Sequence, residues 1–69
     1  MNMVPVSSSN LVSVGYDPAT QTLRVQFKLG CYDYTGVPES VYRGLLGAPS
    51  KGEYHAARIK YSFPYRRIG

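Results

Sequence analysis

The sequence predicts an α+β domain: a three-stranded antiparallel meander followed by two short helices packed on its dry face. Three observations predict it. Residues 22–29 alternate strictly, with Leu23, Val25, Phe27 and Leu29 on one side and Thr22, Arg24, Gln26 and Lys28 on the other, the period-2 mark of a sheet with one wet face. The run Tyr32-Asp33-Tyr34-Thr35-Gly36-Val37-Pro38 packs two tyrosines on one side of a strand, then breaks it with Gly and opens a helix with Pro. Ser50 followed by Glu53 has the spacing of a capping box and starts a second helix.

Each element follows in order. Residues 1–10 are polar, with three serines and Pro5, and read as a flexible arm ahead of a single domain over 11–69. Leu11 to Tyr16 reads as the first strand, with Val12, Val14 and Tyr16 on one face. Asp17-Pro18-Ala19-Thr20-Gln21 carries turn chemistry. The second strand spans Thr22 to Leu29, Gly30 supports a tight reversal, and the third strand spans Cys31 to Thr35. Pro38 suits the first helical position, where its missing N–H costs nothing. Val41, Tyr42, Leu45 and Leu46 share a face of the first helix, which Gly44, Gly47 and Pro49 keep short. The second helix is expected to reach Lys60 or Tyr61. Its stripe of Gly52, Ala56, Ile59 and Phe63 lies nearly opposite Tyr54, Ala57 and Tyr61. Pro64 stops it, and Tyr65 to Gly69 forms an extended tail.

Composition narrows the function classes. Sixty-nine residues make one domain with a small core, and 43% hydrophobic residues with seven tyrosines argue against disorder. Cys31 is the only cysteine, so an internal disulfide is excluded. One Cys and one His cannot close a structural zinc site within one chain. No stretch approaches a membrane span, and residues 1–10 lack the basic and apolar regions of a secretory signal. A cytoplasmic location is the default expectation. No cofactor is implied.

The charge is lopsided. Residues 1–40 carry a net −1, whereas residues 41–69 carry Arg43, Lys51, Arg58, Lys60, Arg66 and Arg67 against Glu53 alone, a net +5. This asymmetry fits an anionic partner, or a basic domain whose charges serve solubility. The candidate contact residues are Lys51, Tyr54, His55, Arg58, Tyr61, Tyr65, Arg66 and Arg67. Lys51, His55 and Arg58 form a basic ridge on the second helix, extended by the two tail arginines and interleaved with tyrosines. That is the composition of a single-strand nucleic-acid groove, and equally of a solvated helix face with a basic tail. Tyr32 and Tyr34 are expected to pack under the helices with their hydroxyls at the edge. Turning them outward would bury Asp33 without a partner. Lys51, at the start of the second helix, is also a weaker candidate for a simple anion contact. Catalysis is not expected. Cys31 and His55 could pair as nucleophile and base only with an orienting group, and none is evident. No metal site is expected either.

The chain resembles the KTSC family, named for a C-terminal domain of some lysyl-tRNA synthetases and also found as a stand-alone bacterial domain. The resemblance runs from Ser8 to Ile68. It rests on Ser9-Asn10, Val14-Gly15-Tyr16-Asp17, Leu23-Arg24-Val25-Gln26-Phe27, Tyr32-Asp33-Tyr34 with Gly36-Val37-Pro38, Ser50-Lys51-Gly52-Glu53-Tyr54, Ile59 and Phe63-Pro64-Tyr65. The chain departs from the family in two places. The link from Phe27 to Tyr32 is about one residue shorter, which leaves the hairpin register open. His55-Ala56 stands where an aromatic followed by Asn is frequent. The resemblance implies RNA as a partner through the synthetase attachment and implies no reaction. The expected function is a non-catalytic module for RNA or single-stranded nucleic acid. The alternative is a protein-interaction module, such as a small regulator or inhibitor, that places its basic half on an acidic surface. An exposed stripe of Tyr54, Ala57 and Tyr61 would favour that alternative, or a homodimer.

Overall fold

The computed structural model of the protein describes residues 1–69. It contains seven elements: β1 (Val4–Pro5), β2 (Leu11–Asp17), β3 (Thr22–Phe27), β4 (Gly30–Tyr34), α1 (Glu39–Gly47), α2 (Lys51–Arg58) and β5 (Tyr65–Arg67). The expected α+β class and the two helices are present. The sheet, however, has five strands in the order β1-β2-β3-β4-β5, with every pair antiparallel, rather than three. The two extra strands come from the segments read as a flexible arm and an extended tail. Val4 pairs with Val14 and Pro5 with Ser13; Pro5 is tolerated there because β1 is an edge strand. Val6 continues inward against the core, so residues 4–6 are not loose. At the other edge Tyr65, Arg66 and Arg67 pair with Tyr34, Asp33 and Tyr32. The pairing continues past β5, as Ile68 N–H donates to Cys31 O at 2.8 Å and Cys31 N–H to Gly69 O at 3.2 Å.

Period-2 reasoning fails in β2 for a specific reason. Leu11 and Val14 are both fully buried, yet residues three apart cannot share a face of a regular strand. A β-bulge between Leu11 and Ser13 reconciles them and turns Val12 outward, against the expectation that it would lie beside Val14. β3 also stops short of Leu29. Lys28 and Leu29 form a two-residue turn between the paired Phe27 and Gly30, leaving Leu29 91% exposed. The third strand accordingly starts one residue early, at Gly30, and ends at Tyr34. Gly30 serves close approach rather than the reversal. A Cβ there would sit 3.2 Å from Nε of Arg67, whose guanidinium also donates to Leu29 O at 3.1 Å.

The wet face forms as the alternation requires. Arg24 and Asp33 are cross-strand partners, joined by two parallel hydrogen bonds of 2.7 and 2.9 Å from Nε and Nη2. The pair is partly open to water, so screening keeps its worth small. Asp33→Asn is therefore expected to cost about 0.5–1 kcal/mol in urea denaturation, less at high salt. A loss above about 3 kcal/mol would instead mark it as a buried pair.

Between β4 and β5 the chain crosses the dry face as a helical hairpin. The Tyr16 hydroxyl donates to the Val37 carbonyl, and its ring stacks on Tyr42 at 5.1 Å, which fixes the start of α1. Leu45 drives α1 into a core of Leu11, Val14, Leu23, Val25, Tyr34, Val37 and Ile59. Ser50 caps α2 as expected, accepting from Glu53 N–H at 3.3 Å. α2 ends at Arg58, short of the expected Lys60 or Tyr61, because the N–H groups of Ile59 and Lys60 both close on His55 O. That turn drops Ile59 into the core and returns the chain to the sheet edge.

Candidate binding cleft

The main concavity is a cleft of about 530 Å³ between α2 and the β3–β4 turn. Its floor is aromatic. Phe27, Tyr32, Tyr34, His55 and Tyr65 form a connected cluster, with ring centroids 4.9 Å apart for Phe27–His55, 5.4 Å for Tyr34–His55, 5.8 Å for Tyr32–Tyr65 and 5.9 Å for Tyr34–Tyr65. Cross-strand pairing explains part of this: Tyr34 and Tyr65 are register partners, so their rings share a face. Gly52 and Ala56 line the α2 side, and Lys28, Lys60 and Tyr61 stand at the mouth. No Asp or Glu lines the cleft.

His55 is the pivot. It is only 7% exposed, and its Nε2 lies 2.7 Å from the Tyr34 hydroxyl. Nε2 is the one acceptor within reach of the Tyr34 hydroxyl proton, so the tautomer that leaves no buried O–H unpaired is assigned: the hydroxyl donates to Nε2 and the ring proton sits on Nδ1. No buried side-chain nitrogen or oxygen in the chain lacks a partner, and Nδ1 makes no hydrogen bond, so Nδ1 reaches the water of the cleft. Burial and the nearby Lys60 charge lower the His55 pKa. Burial, with Tyr32 and Tyr65 close by, pushes the Tyr34 hydroxyl up to about 12. Both groups are neutral near pH 7.

The residues expected to form one basic ridge are dispersed. His55 leaves it altogether: its side chain turns beneath α2 onto Tyr34 and Phe27. Lys51 donates its ammonium to Ala48 O at 3.1 Å. Arg58 is exposed, but the shallow hollow it lines with Tyr54 and Ala57 also contains Glu53. The Tyr54 ring lies over Gly44 of α1, in the space a Cβ would take, and is half-buried. The stripe of Tyr54, Ala57 and Tyr61 therefore does not form; Tyr61 lies beyond the helix and is 86% exposed. Arg66 and Arg67 point to opposite faces of the sheet. Arg66 pairs with Asp33 on the wet face, while Arg67 pairs with Tyr32 and stands 6.0 Å over its ring.

Only His55, Tyr61 and Tyr65 of the eight candidates line the cleft. Sequence reasoning missed Phe27, Lys28, Tyr32, Tyr34 and Lys60. Lys28 is not on the wet face that the alternation predicts, because β3 ends at Phe27, two residues short of Leu29, and Lys28 lies in the turn beside the cleft. Tyr32 and Tyr34 lie under the helices as expected, with Tyr32 partly open; the Tyr34 hydroxyl, expected at the edge, is instead buried against His55, and Tyr34 is 3% exposed. Cys31, by alternation, lies on the opposite face from His55, so the sheet separates the two.

The KTSC domain model matches residues 7–63. The chain belongs to the KTSC family. A crystal structure of a KTSC domain protein from Yersinia pestis superposes with a TM-score of 0.96 at 43% identity, covering 99% of this chain and 97% of that one. An uncharacterized protein of Stutzerimonas stutzeri is 46% identical over 55 residues, 78% of each chain. A lysine–tRNA ligase of Nostoc sp. is 44% identical over 54 residues, which cover 77% of this chain but 10% of the ligase. The KTSC chain thus spans about a tenth of that relative's length. In this KTSC domain the Tyr32-Asp33-Tyr34 run puts its tyrosines in the cleft and its aspartate on the Arg24 ion pair. No helix is long and apolar enough to cross a membrane.

Proposed function

We propose that this KTSC domain is a non-catalytic module that binds single-stranded RNA through the cleft and its rim. One observation carries the reading: an aromatic floor flanked by Lys28 and Lys60 with no carboxylate in its lining. Aromatic faces stack on bases of any sequence, and flanking cations meet the phosphates. The name of the Nostoc relative, a lysine–tRNA ligase, supports RNA as the nucleic acid. The alternative is a protein-interaction module that places its basic half on an acidic surface; the stripe of Tyr54, Ala57 and Tyr61 that would favour it is broken by Tyr54 packing against Gly44.

An NMR titration with a short single-stranded RNA tests the proposal at two salt concentrations. Backbone shifts are expected at Lys28, Ala56, Lys60 and Tyr65, with affinity falling steeply as salt rises. Unmoved resonances at low salt would refute it. Shifts confined to Arg58, Tyr54 and Ala57 would move the contact to the other side of α2.

A further inference from the structure

We infer that the cleft takes a single unstacked RNA base, read at an acceptor edge by Nδ1–H of His55. This deepens the RNA-binding reading and rests on it. The cleft is a half-open hollow rather than a flat platform, and Tyr34, His55 and Ala56 are among the residues that line it. Tyr34 fixes the imidazole by its 2.7 Å bond to Nε2, so the proton on Nδ1 has one orientation. Nδ1 makes no bond within the protein and His55 lines the cleft, so Nδ1–H is a donor without a protein acceptor beside an aromatic surface. Such a donor matches an oxygen or ring nitrogen on a base edge, while the surrounding rings take the π-face. The half-open volume of about 530 Å³ is large enough to seat a small planar ligand. The two lysines are exposed lining residues of the cleft, within reach of the phosphates of an inserted nucleotide.

The charge layout commits the cleft to this occupant. An apolar peptide side chain would fill the rings but use neither the buried donor nor the two rim cations. A free phosphate would use the cations but not the aromatic floor. A nucleotide uses all three.

The test compares a short oligouridylate with a strand of the same length and charge that lacks bases, by fluorescence anisotropy at low salt. It uses the wild-type domain and two variants, Ala56→Glu and Ala57→Glu. Both positions are exposed on α2, and both substitutions lower the net charge equally. Ala56 lines the cleft, whereas Ala57 lines the hollow on the other side. The wild type is expected to bind the base-bearing strand about tenfold more tightly than the abasic one. Ala56→Glu should abolish that margin, and Ala57→Glu should keep it within about twofold. Equal binding of the two strands by the wild type overturns the base site yet leaves RNA binding standing as an electrostatic contact. Equal losses in the two variants overturn it as well. Failure of the wild type to bind either strand overturns both readings. The wild-type comparison of strands needs no variant to fold.

Discussion

Leu45→Ala is expected to lower the stability of the domain by about 3 kcal/mol, whereas Leu46→Ala should cost well under about 1 kcal/mol. The two leucines are neighbours on α1, yet Leu45 is 0% exposed and Leu46 is 36% exposed. Leu45 belongs to the same buried cluster as Leu23 and Val25 of the sheet and Val37 of the loop before α1. Truncation there removes apolar contact and leaves a cavity that a small core cannot close, because the helical hairpin is tied at both ends to β4 and β5. A domain of this size has only roughly 3–10 kcal/mol in total. The Leu45 variant should therefore be largely unfolded at moderate urea, where the Leu46 variant is still native. Urea midpoints measured side by side check this. Similar losses at both positions would mean that α1 is held by its solvent-side contacts and not by the core.

Legibility in the sequence tracked how local each determinant is. β3 could be read because its alternation is unbroken from Thr22 to Phe27, and the α2 cap because Ser50 and Glu53 sit three residues apart. The Arg24–Asp33 pair followed from aligning two neighbouring alternations. Both edge strands escaped, since neither Val4–Pro5 nor Tyr65–Arg67 has a pattern of its own. They become strands by pairing with β2 and β4, and two or three residues carry no period. The bulge at Val12 escaped because periodicity assumes a regular ladder. The candidate site suffered from the same cause. A helical wheel put His55 beside Lys51 and Arg58, but the face that α2 buries is decided by Tyr34 and Phe27, far away in sequence. The cleft is a product of long-range placement, with β5 bringing Tyr65 to Tyr34 and the turn after α2 bringing Lys60 above them. The Tyr32-Asp33-Tyr34 run could be recognised as a family mark, whereas its position at the floor of a cleft could not.

The Tyr34–His55 bond sets the second large expectation, and it is a pH effect. Tyr34→Phe removes the donor and leaves Nε2 of a buried imidazole without a partner, at a cost of about 1–3 kcal/mol near neutral pH. Burial of the same imidazole makes the domain acid-sensitive. His55 has its pKa lowered from 6.5 by burial and by Lys60, so the unfolded chain takes up the proton more readily than the folded one. The linkage then has a definite sign: stability is full above about pH 6.5 and falls as the pH drops through that value. The fall ends once the folded-state pKa is passed. His55→Gln retains an acceptor for the Tyr34 hydroxyl and cannot be protonated. Urea denaturation of wild type and His55→Gln between about pH 8 and 5 isolates the contribution, since any carboxylate effects are common to both. The difference in stability should be steady above neutrality and shift in favour of the glutamine variant as the pH falls. Parallel curves would show that His55 is solvated in the native state, and with it the fixed Nδ1 donor of the cleft would be lost.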